Sequence, residues 1–307
     1  MISVIIPAHN AARTLERAVS SILTQDVPAD VEILIVENGS TDDTLSLAYT
    51  LAEKSNHIRV LQSPPGVSEA RNLGIEQAKG DMIGWIDADD MYAPGALHAL
   101  WLAHQMLDVQ FVKGNLTHIF SDRTRIWRPR ISTFFRPLLF DFEPAYSDFV
   151  GTVTGLYRAD WLKSVSEPFP VGVHTAEDRV FVWKTLLSAR RFAHIDKVVY
   201  HYDRTSETSV LSKKDGKHFD LFRAYRSIHN TADFKHHPNV HLKFWSQFIS
   251  LMHYNYKEPG RLSPAGKVRW ISECRQAMKL AKEDGVIDLL GKTMPKQRKR
   301  FFKTIGV

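Results

Sequence analysis

Unbroken apolar runs of four or five residues alternate with amphipathic stretches through the first 110 residues of this 307-residue chain. Ser3-Val4-Ile5-Ile6 stops at Pro7, and Leu15, Val19, Ile22 and Leu23 then fall at helical spacing. Ile33-Leu34-Ile35-Val36 is the next run, ended by Asn38-Gly39-Ser40; Thr41 before Asp42-Asp43-Thr44 then predicts an N-cap with an acidic first turn. A short strand over Ile58 to Leu61 precedes a helix from Ser68 to Ala78, closed by Lys79-Gly80 ahead of the run Met82-Ile83-Gly84-Trp85-Ile86. Strands that are apolar throughout need cover on both faces. The pattern therefore predicts an α/β fold, a mixed and mainly parallel sheet with helices on both sides.

Beyond Phe111-Val112 the pattern loosens, and residues 121–147, rich in Arg, Phe and Pro without a clear period, read as an irregular segment, a mobile loop over a site. Regular signals return with Val150 to Tyr157, a helix from Thr175 to Ala189 and a strand from Phe192 to Tyr202. From Asp215 the chain reads as helical, with a turn at Glu258-Pro259-Gly260 and breaks near Gly285 and Pro295. The expected division is 1–112, then 113–212 completing the same domain, then a C-terminal helical region over 213–307.

With 44% apolar residues the chain can bury a large core, and no apolar stretch approaches the roughly 20 residues of a membrane span. The N-terminus begins at once with a strand rather than a targeting segment, so a soluble, cytoplasmic protein is expected. Cys274, the single cysteine, has no disulfide partner and reads as a packed side chain. Net charge is uneven: residues 1–204 carry 20 basic and 25 acidic side chains, residues 205–307 carry 20 and 9. That excess suggests an anionic surface as partner for the C-terminal third, a membrane leaflet or nucleic acid, or simply a solvated basic helical face.

Chemistry gathers at the predicted strand ends. The Met82 run empties into Asp87-Ala88-Asp89-Asp90, and carboxylates this close need full solvation or a cation; oxygen ligands of this kind suit a hard divalent ion. Alone, the cluster would serve as an acidic turn before the helix after Pro94. Pro7-Ala8-His9-Asn10 and Glu37-Asn38-Gly39-Ser40 end two other strands, and in a parallel sheet all three ends share one crevice. No Walker lysine motif and no G-x-G-x-x-G is present, so a different nucleotide cradle is required.

SVIIPAHN, ILIVENGSTDDT, GVSEARNLGIEQAKGD and WIDADD, in this order and spacing, resemble the family-2 glycosyltransferases of the GT-A fold, and Thr175-Ala176-Glu177-Asp178 with Phe181 resembles that family's downstream acidic motif. The resemblance covers roughly residues 1–210. It implies inverting transfer of a sugar from a nucleoside-diphosphate sugar with Mn2+ or Mg2+, and acceptor and base functions in 113–212. Carried over by residue, Pro7, Ala8, Glu37 and Asn38 line the base and ribose pocket, Arg71 lies near the nucleotide, Asp87 faces ribose or metal, and Asp89 ligates the metal. Asp178 is the expected catalytic base with Glu177 supporting it or holding acceptor; His201 and Arg204 fall in a segment resembling, more loosely, a loop that closes over the diphosphate.

The chemistry asks for these residue types independently. Developing diphosphate charge is stabilised by a divalent cation and Arg, while an acceptor hydroxyl needs a carboxylate to take its proton. Many relatives have Asp where this chain has Asn38; a carboxamide suits N3–H and O4 of uracil and equally N1–H and O6 of guanine, so the base stays open, with UDP favoured by family frequency. The expected acceptor is a carbohydrate or lipid-linked molecule in cell-surface polysaccharide or glycolipid synthesis. A sugar nucleotidyltransferase is the rival enzyme, but PAHNAARTL lacks its Gly- and Lys/Arg-rich loop. A nucleic-acid binder is the rival from another class, and no nucleic-acid motif accompanies the basic third.

His229, His236, His237 and His241 resemble a metal cluster at first sight, yet their spacing crosses Pro238 and no Cys or carboxylate pair supports them, so they read as structural. Phe244, Trp245, Phe248, Ile249 and Met252 recur at helical spacing as core or an oligomer face. Lys296 to Lys303 mixes cations with Phe301-Phe302, the composition of a peripheral anchor for the inner face of the plasma membrane or of a solvated tail.

Overall fold

The computed structural model describes residues 1–129, 137–139, 144–149, 151–205, 216–231, 234, 238–293, 301 and 306. The strands are β1 (Ile2–Ala8), β2 (Val31–Glu37), β3 (Ile58–Gln62), β4 (Met82–Trp85), β5 (Met91–Tyr92), β6 (Phe111–Ile119), β7 (Thr124–Trp127), β8 (Pro137–Leu139), β9 (Gly155–Arg158) and β10 (Arg191–Asp203). The helices are α1 (Leu15–Leu23), α2 (Thr44–Lys54), α3 (Val67–Gln77), α4 (Ala96–Met106), α5 (Ala159–Ser164), α6 (Glu177–Ser188), α7 (Asp220–Thr231), α8 (Pro238–Lys257), α9 (Pro264–Glu283) and α10 (Ile287–Thr293). The chain divides into two compact units, Met1–Glu207 and Thr208–Val307.

In the first unit one sheet runs β3-β2-β1-β4-β9-β6-β10-β5, with β7 beside β6 and β8 beside β10. β1 is parallel to β2 and β4, β2 to β3, and β6 to β10, whereas β9 lies antiparallel between β4 and β6. The expected mainly parallel, helix-covered sheet is therefore what the chain forms. Every residue of β1 is buried, as a strand covered on both faces must be. α1 turns Leu15, Ala18, Val19 and Ile22 inward. α3 comes close enough to β1 that a Cβ on Gly74 would collide with the Ile5 side chain.

Two local expectations change. α2 begins at Thr44, not after a Thr41 cap; Asp42 instead accepts the Thr44 N–H at 3.0 Å and so closes the turn itself. The segment 121–147 is not irregular where it is described, since β7 and β8 pair with β6 and β10 and a 3-10 turn spans Pro144–Asp148. Cross-strand pairing supplied order that no period in the sequence announced. The mobile-loop expectation for 130–136 and 140–143 falls outside the described residues.

Trp85 stacks on Tyr157 at 4.9 Å and takes Phe169 and Phe181 edge-on at 5.5 and 4.8 Å. This aromatic layer ties the end of β4 to β9 and α6, and so fixes the parts that carry the acids.

In the second unit Ser263 caps α9 by accepting the Gly266 N–H at 2.9 Å. Tyr225 stacks on Phe248 at 4.2 Å, and Phe244, Trp245, Phe248, Ile249 and Met252 are all buried, the core role among those expected. Cys274 is buried and burial pushes its thiol pKa up, which leaves it an inert packed side chain. Among the described residues no helix is long and apolar enough to cross a membrane.

Candidate active site

The loops after β1 and β2 are laced together before any ligand is considered. Asn10, at φ +50°, accepts the Thr41 N–H at 2.8 Å and donates its own N–H to Ser40 Oγ at 3.1 Å. Ala11 donates to Thr44 Oγ1 at 2.7 Å. Gly39, at φ +83°, gives the sharp exit from β2. Pro7 and Ala8 sit opposite Val36 and Glu37 in register, so the four expected pocket residues Pro7, Ala8, Glu37 and Asn38 come to one place. Glu37 accepts the Ser40 N–H, which holds its carboxylate at the rim. Asn38 is 3% exposed.

Two residues beyond β4 the chain presents Asp87 to Asp90. Asp87 donates its N–H to Tyr200 Oη at 3.0 Å, and Tyr200 donates to Asp90 Oδ2 at 2.7 Å. Asp203 donates its N–H to Asp90 Oδ1 at 2.8 Å. Asp90 is therefore a wholly buried anchor rather than a ligand. Burial, then the charges of Asp87 and Asp89, push it up to about 9, which favours the neutral acid and lessens repulsion within the cluster. Asp89 is raised by burial and by Asp87. Asp89 is nonetheless exposed, and with the second oxygen of Asp87 it offers hard oxygen donors suited to Mn2+ or Mg2+. The residues present thus fit such an ion.

Arg71, on α3, is the hinge of the site. Its guanidinium meets Asp87 Oδ1 at 2.7 Å and Glu177 Oε1 at 3.4 Å and lies over the Phe169 ring at 5.1 Å. Burial works against its charge, but Asp87 and Glu177 outweigh that and push its pKa up. Glu177 and Asp178 open α6 behind Ala176, held at φ +68°. Burial, then the Asp178 charge, push Glu177 up to about 7; Asp178 is raised by burial while Arg179 and Arg71 pull it down. One oxygen of Asp178 accepts the Arg179 N–H at 2.7 Å.

His201 and Arg204 stand at the far end of β10. His201 pairs in register with Met91 and Thr117, and its Nδ1 is buried without a partner among the described residues. Arg204 is exposed with its guanidinium over the Tyr202 ring at 4.7 Å. Residues 206–215, the rest of that loop, lie outside the described residues.

Three supporting groups escaped sequence reasoning. Arg17, on α1, donates to the Asp89 carbonyl at 2.6 Å and to Asp203 Oδ2 at 2.8 Å, clamping the acidic loop to β10. Tyr200 threads Asp87 to Asp90, as above. Lys113, on β6, is 2% exposed with its ammonium over Phe149 and Tyr146 at 5.3 and 5.7 Å. Burial lowers its pKa to about 7, opposed by the Asp178 charge. The lone cation inside Phe111-Val112-Lys113-Gly114-Asn115 was the available signal for Lys113; nothing in the helical pattern marked Arg17.

Residues 3–165 match the profile described as "Glycosyl transferase family 2". Over 282 residues the chain is 27% identical to YibD, an uncharacterised glycosyltransferase of Escherichia coli K12, spanning 85% of this chain and 81% of that protein. It is 25% identical over 235 residues to the poly(ribitol-phosphate) β-N-acetylglucosaminyltransferase TarS of Staphylococcus aureus, covering 74% of this chain and 39% of TarS. The structure of TarS residues 1–349 with UDP-GlcNAc superposes with a TM-score of 0.69 at 21% identity, covering 89% of this chain and 79% of that one. The mannosyltransferase PcManGT of Pyrobaculum calidifontis, solved with GDP-Man and Mn2+, superposes with a TM-score of 0.54 at 17% identity, covering 99% and 83%. The fold is accordingly the expected GT-A arrangement. With more than half of its length inside the family match, including β1, β2, α3 and β4 that build the crevice, the chain belongs to glycosyl transferase family 2.

Proposed function

We propose that the protein is an inverting, metal-dependent glycosyltransferase that takes a sugar from a UDP-sugar and passes it to a hydroxyl of a carbohydrate or lipid-linked acceptor in cell-surface polysaccharide or glycolipid synthesis. The observation that carries this reading is the Arg71 bridge: Arg71 binds Asp87 just beyond β4 and also Glu177, 106 residues further along the chain from Arg71 and next to Asp178. It couples a place for the nucleotide to a place for the base.

The nucleoside rests on Pro7, Ala8, Glu37 and Asn38, with the Asn38 carboxamide reading the base edge. Asp89, helped by Asp87, holds the divalent ion, which when bound neutralises the leaving diphosphate. His201 and Arg204 approach that diphosphate from β10. Asp178 accepts the proton of the acceptor hydroxyl as its oxygen bonds the anomeric carbon, and the bond from that carbon to the diphosphate oxygen breaks on the opposite face. Glu177, held by Arg71, keeps Asp178 in place. TarS, a relative whose structure holds UDP-GlcNAc, supports a UDP-sugar with an N-acetylhexosaminyl or hexosyl group. Lys296 to Lys303 would rest on the anionic inner leaflet of the plasma membrane; most of that stretch lies outside the described residues.

Thermal shift and turnover of the full chain against a panel of UDP- and GDP-sugars, with and without Mn2+, test the reading. A ligand at a hundred times its dissociation constant stabilises by about 2.7 kcal/mol. UDP-sugars should raise the unfolding temperature only with metal, and Asp89→Ala should lose that dependence while remaining folded. Preference for GDP-sugars, or equal binding without metal, would overturn the donor assignment.

A further inference from the structure

The helical unit brings together three side chains that the sequence keeps apart. His229 on α7 and His241 on α8 both place Nε2 against Asp284 Oδ2, at 2.9 and 2.8 Å, at the C-terminal end of α9. The carboxylate that the histidine spacing lacked thus arrives 43 residues after His241. Among the described residues this is the only group of three or more His, Cys, Asp or Glu side chains whose ligand atoms lie within 4.8 Å of one another. The three side chains are 22, 13 and 19% exposed, sheltered but reachable by an ion and one water.

We propose that His229 Nε2, His241 Nε2 and Asp284 Oδ2 form a zinc site that clasps α7, α8 and the end of α9. Two imidazoles and one carboxylate are a borderline N2O donor set, which suits Zn2+ and disfavours Mg2+ or Ca2+, in contrast to the oxygen donors Asp87 and Asp89. Tetrahedral zinc with bonds of about 2.0–2.1 Å holds its ligands roughly 3.3 Å apart, so each imidazole nitrogen need draw back from Asp284 Oδ2 by only about half an ångström. Trp245 Nε1 donates to Asp284 Oδ2 at 2.8 Å, the outer hydrogen bond that orients a ligating carboxylate. The same indole lies 3.0 Å from His241 Nε2, so that ring must turn its lone pair toward the metal rather than toward Trp245. The proton balance is definite. A neutral imidazole now donating from Nε2 moves that proton to Nδ1 on coordination, with none released, whereas an imidazolium releases one.

His229, His241 and Asp284 share no residue with the proposed transferase site, so either site can fail without the other. Full-length metal-free protein carrying Asp89→Ala, which silences the oxygen site, is titrated with Zn2+ and with Co2+. One equivalent should bind, raise the unfolding temperature, and give the intense visible bands of four-coordinate Co2+. His229→Ala and Asp284→Ala, each added to that protein, should weaken zinc at least 100-fold and abolish the thermal shift. Unchanged zinc affinity in those variants overturns the proposal. Should a variant fail to fold, the Asp89→Ala protein alone decides: zinc X-ray absorption must show two imidazole ligands, and an all-oxygen shell refutes the site.

Discussion

Replacing Lys113 with Met isolates the cost of one buried charge in the sheet. Lys113 is 2% exposed, and burial takes its pKa from 10.5 to about 7 against the pull of Asp178. The unfolded chain keeps the ordinary value, so between pH 7 and about 10.5 it binds more protons than the fold does, and stability must rise with pH across that window. Each unit is worth about 1.4 kcal/mol, which sets the full cost of the charged form below pH 7 at no more than about 5 kcal/mol. Because the folded group is half protonated at pH 7, roughly 2 kcal/mol of that cost should be relieved by pH 9. Met is apolar, unbranched and of similar length, and it has nothing to titrate. Tyr146, Tyr157 and Tyr200, whose pKa values burial raises, occur in both proteins and cancel in the difference. Urea unfolding at pH 7 and pH 9 should show Lys113→Met more stable at pH 7, with the gap between mutant and wild type narrowing by roughly 2 kcal/mol at pH 9. Parallel stability curves would refute a buried, titrating ammonium.

Asp178→Asn keeps shape but cannot take the acceptor proton, so kcat should fall by roughly 10² to 10⁴ with donor affinity little changed; near-wild-type kcat would move the role to another acid. Glu177 is pushed up to about 7 beside Asp178, which is also raised, so kcat/KM should climb as pH rises through about 7, where Glu177 gives up its proton. Arg71→Gln removes the cation that holds Glu177 down and should move that limb to higher pH; a profile flat from pH 5 to 8 in wild type would contradict the coupling. Deleting residues 296–307 should abolish sedimentation with anionic vesicles and slow transfer to a lipid-linked acceptor while sparing a short soluble one. Equal vesicle binding by both forms would make the tail a solvated end.

The sequence by itself determined the parallel half of the fold and the strand-end acids. Uninterrupted runs such as Ile33 to Val36 can be satisfied only by a sheet covered on both faces, and the order of the motifs set which strand ends share a crevice. It could not decide the roles within WIDADD. Asp87, Asp89 and Asp90 are chemically alike along the chain, and only their surroundings separate them: Arg71 takes Asp87, while Tyr200 and the Asp203 N–H claim Asp90 and bury it. The same holds for β7 and β8, whose order comes from partners in β6 and β10. His229, His241 and Asp284 are the plainest case, because only helix packing brings a carboxylate from the end of α9 against two histidines of α7 and α8. Periodicity and composition are short-range signals. Contacts between elements tens of residues apart, and the pKa values those contacts set, exist only once the tertiary fold has closed.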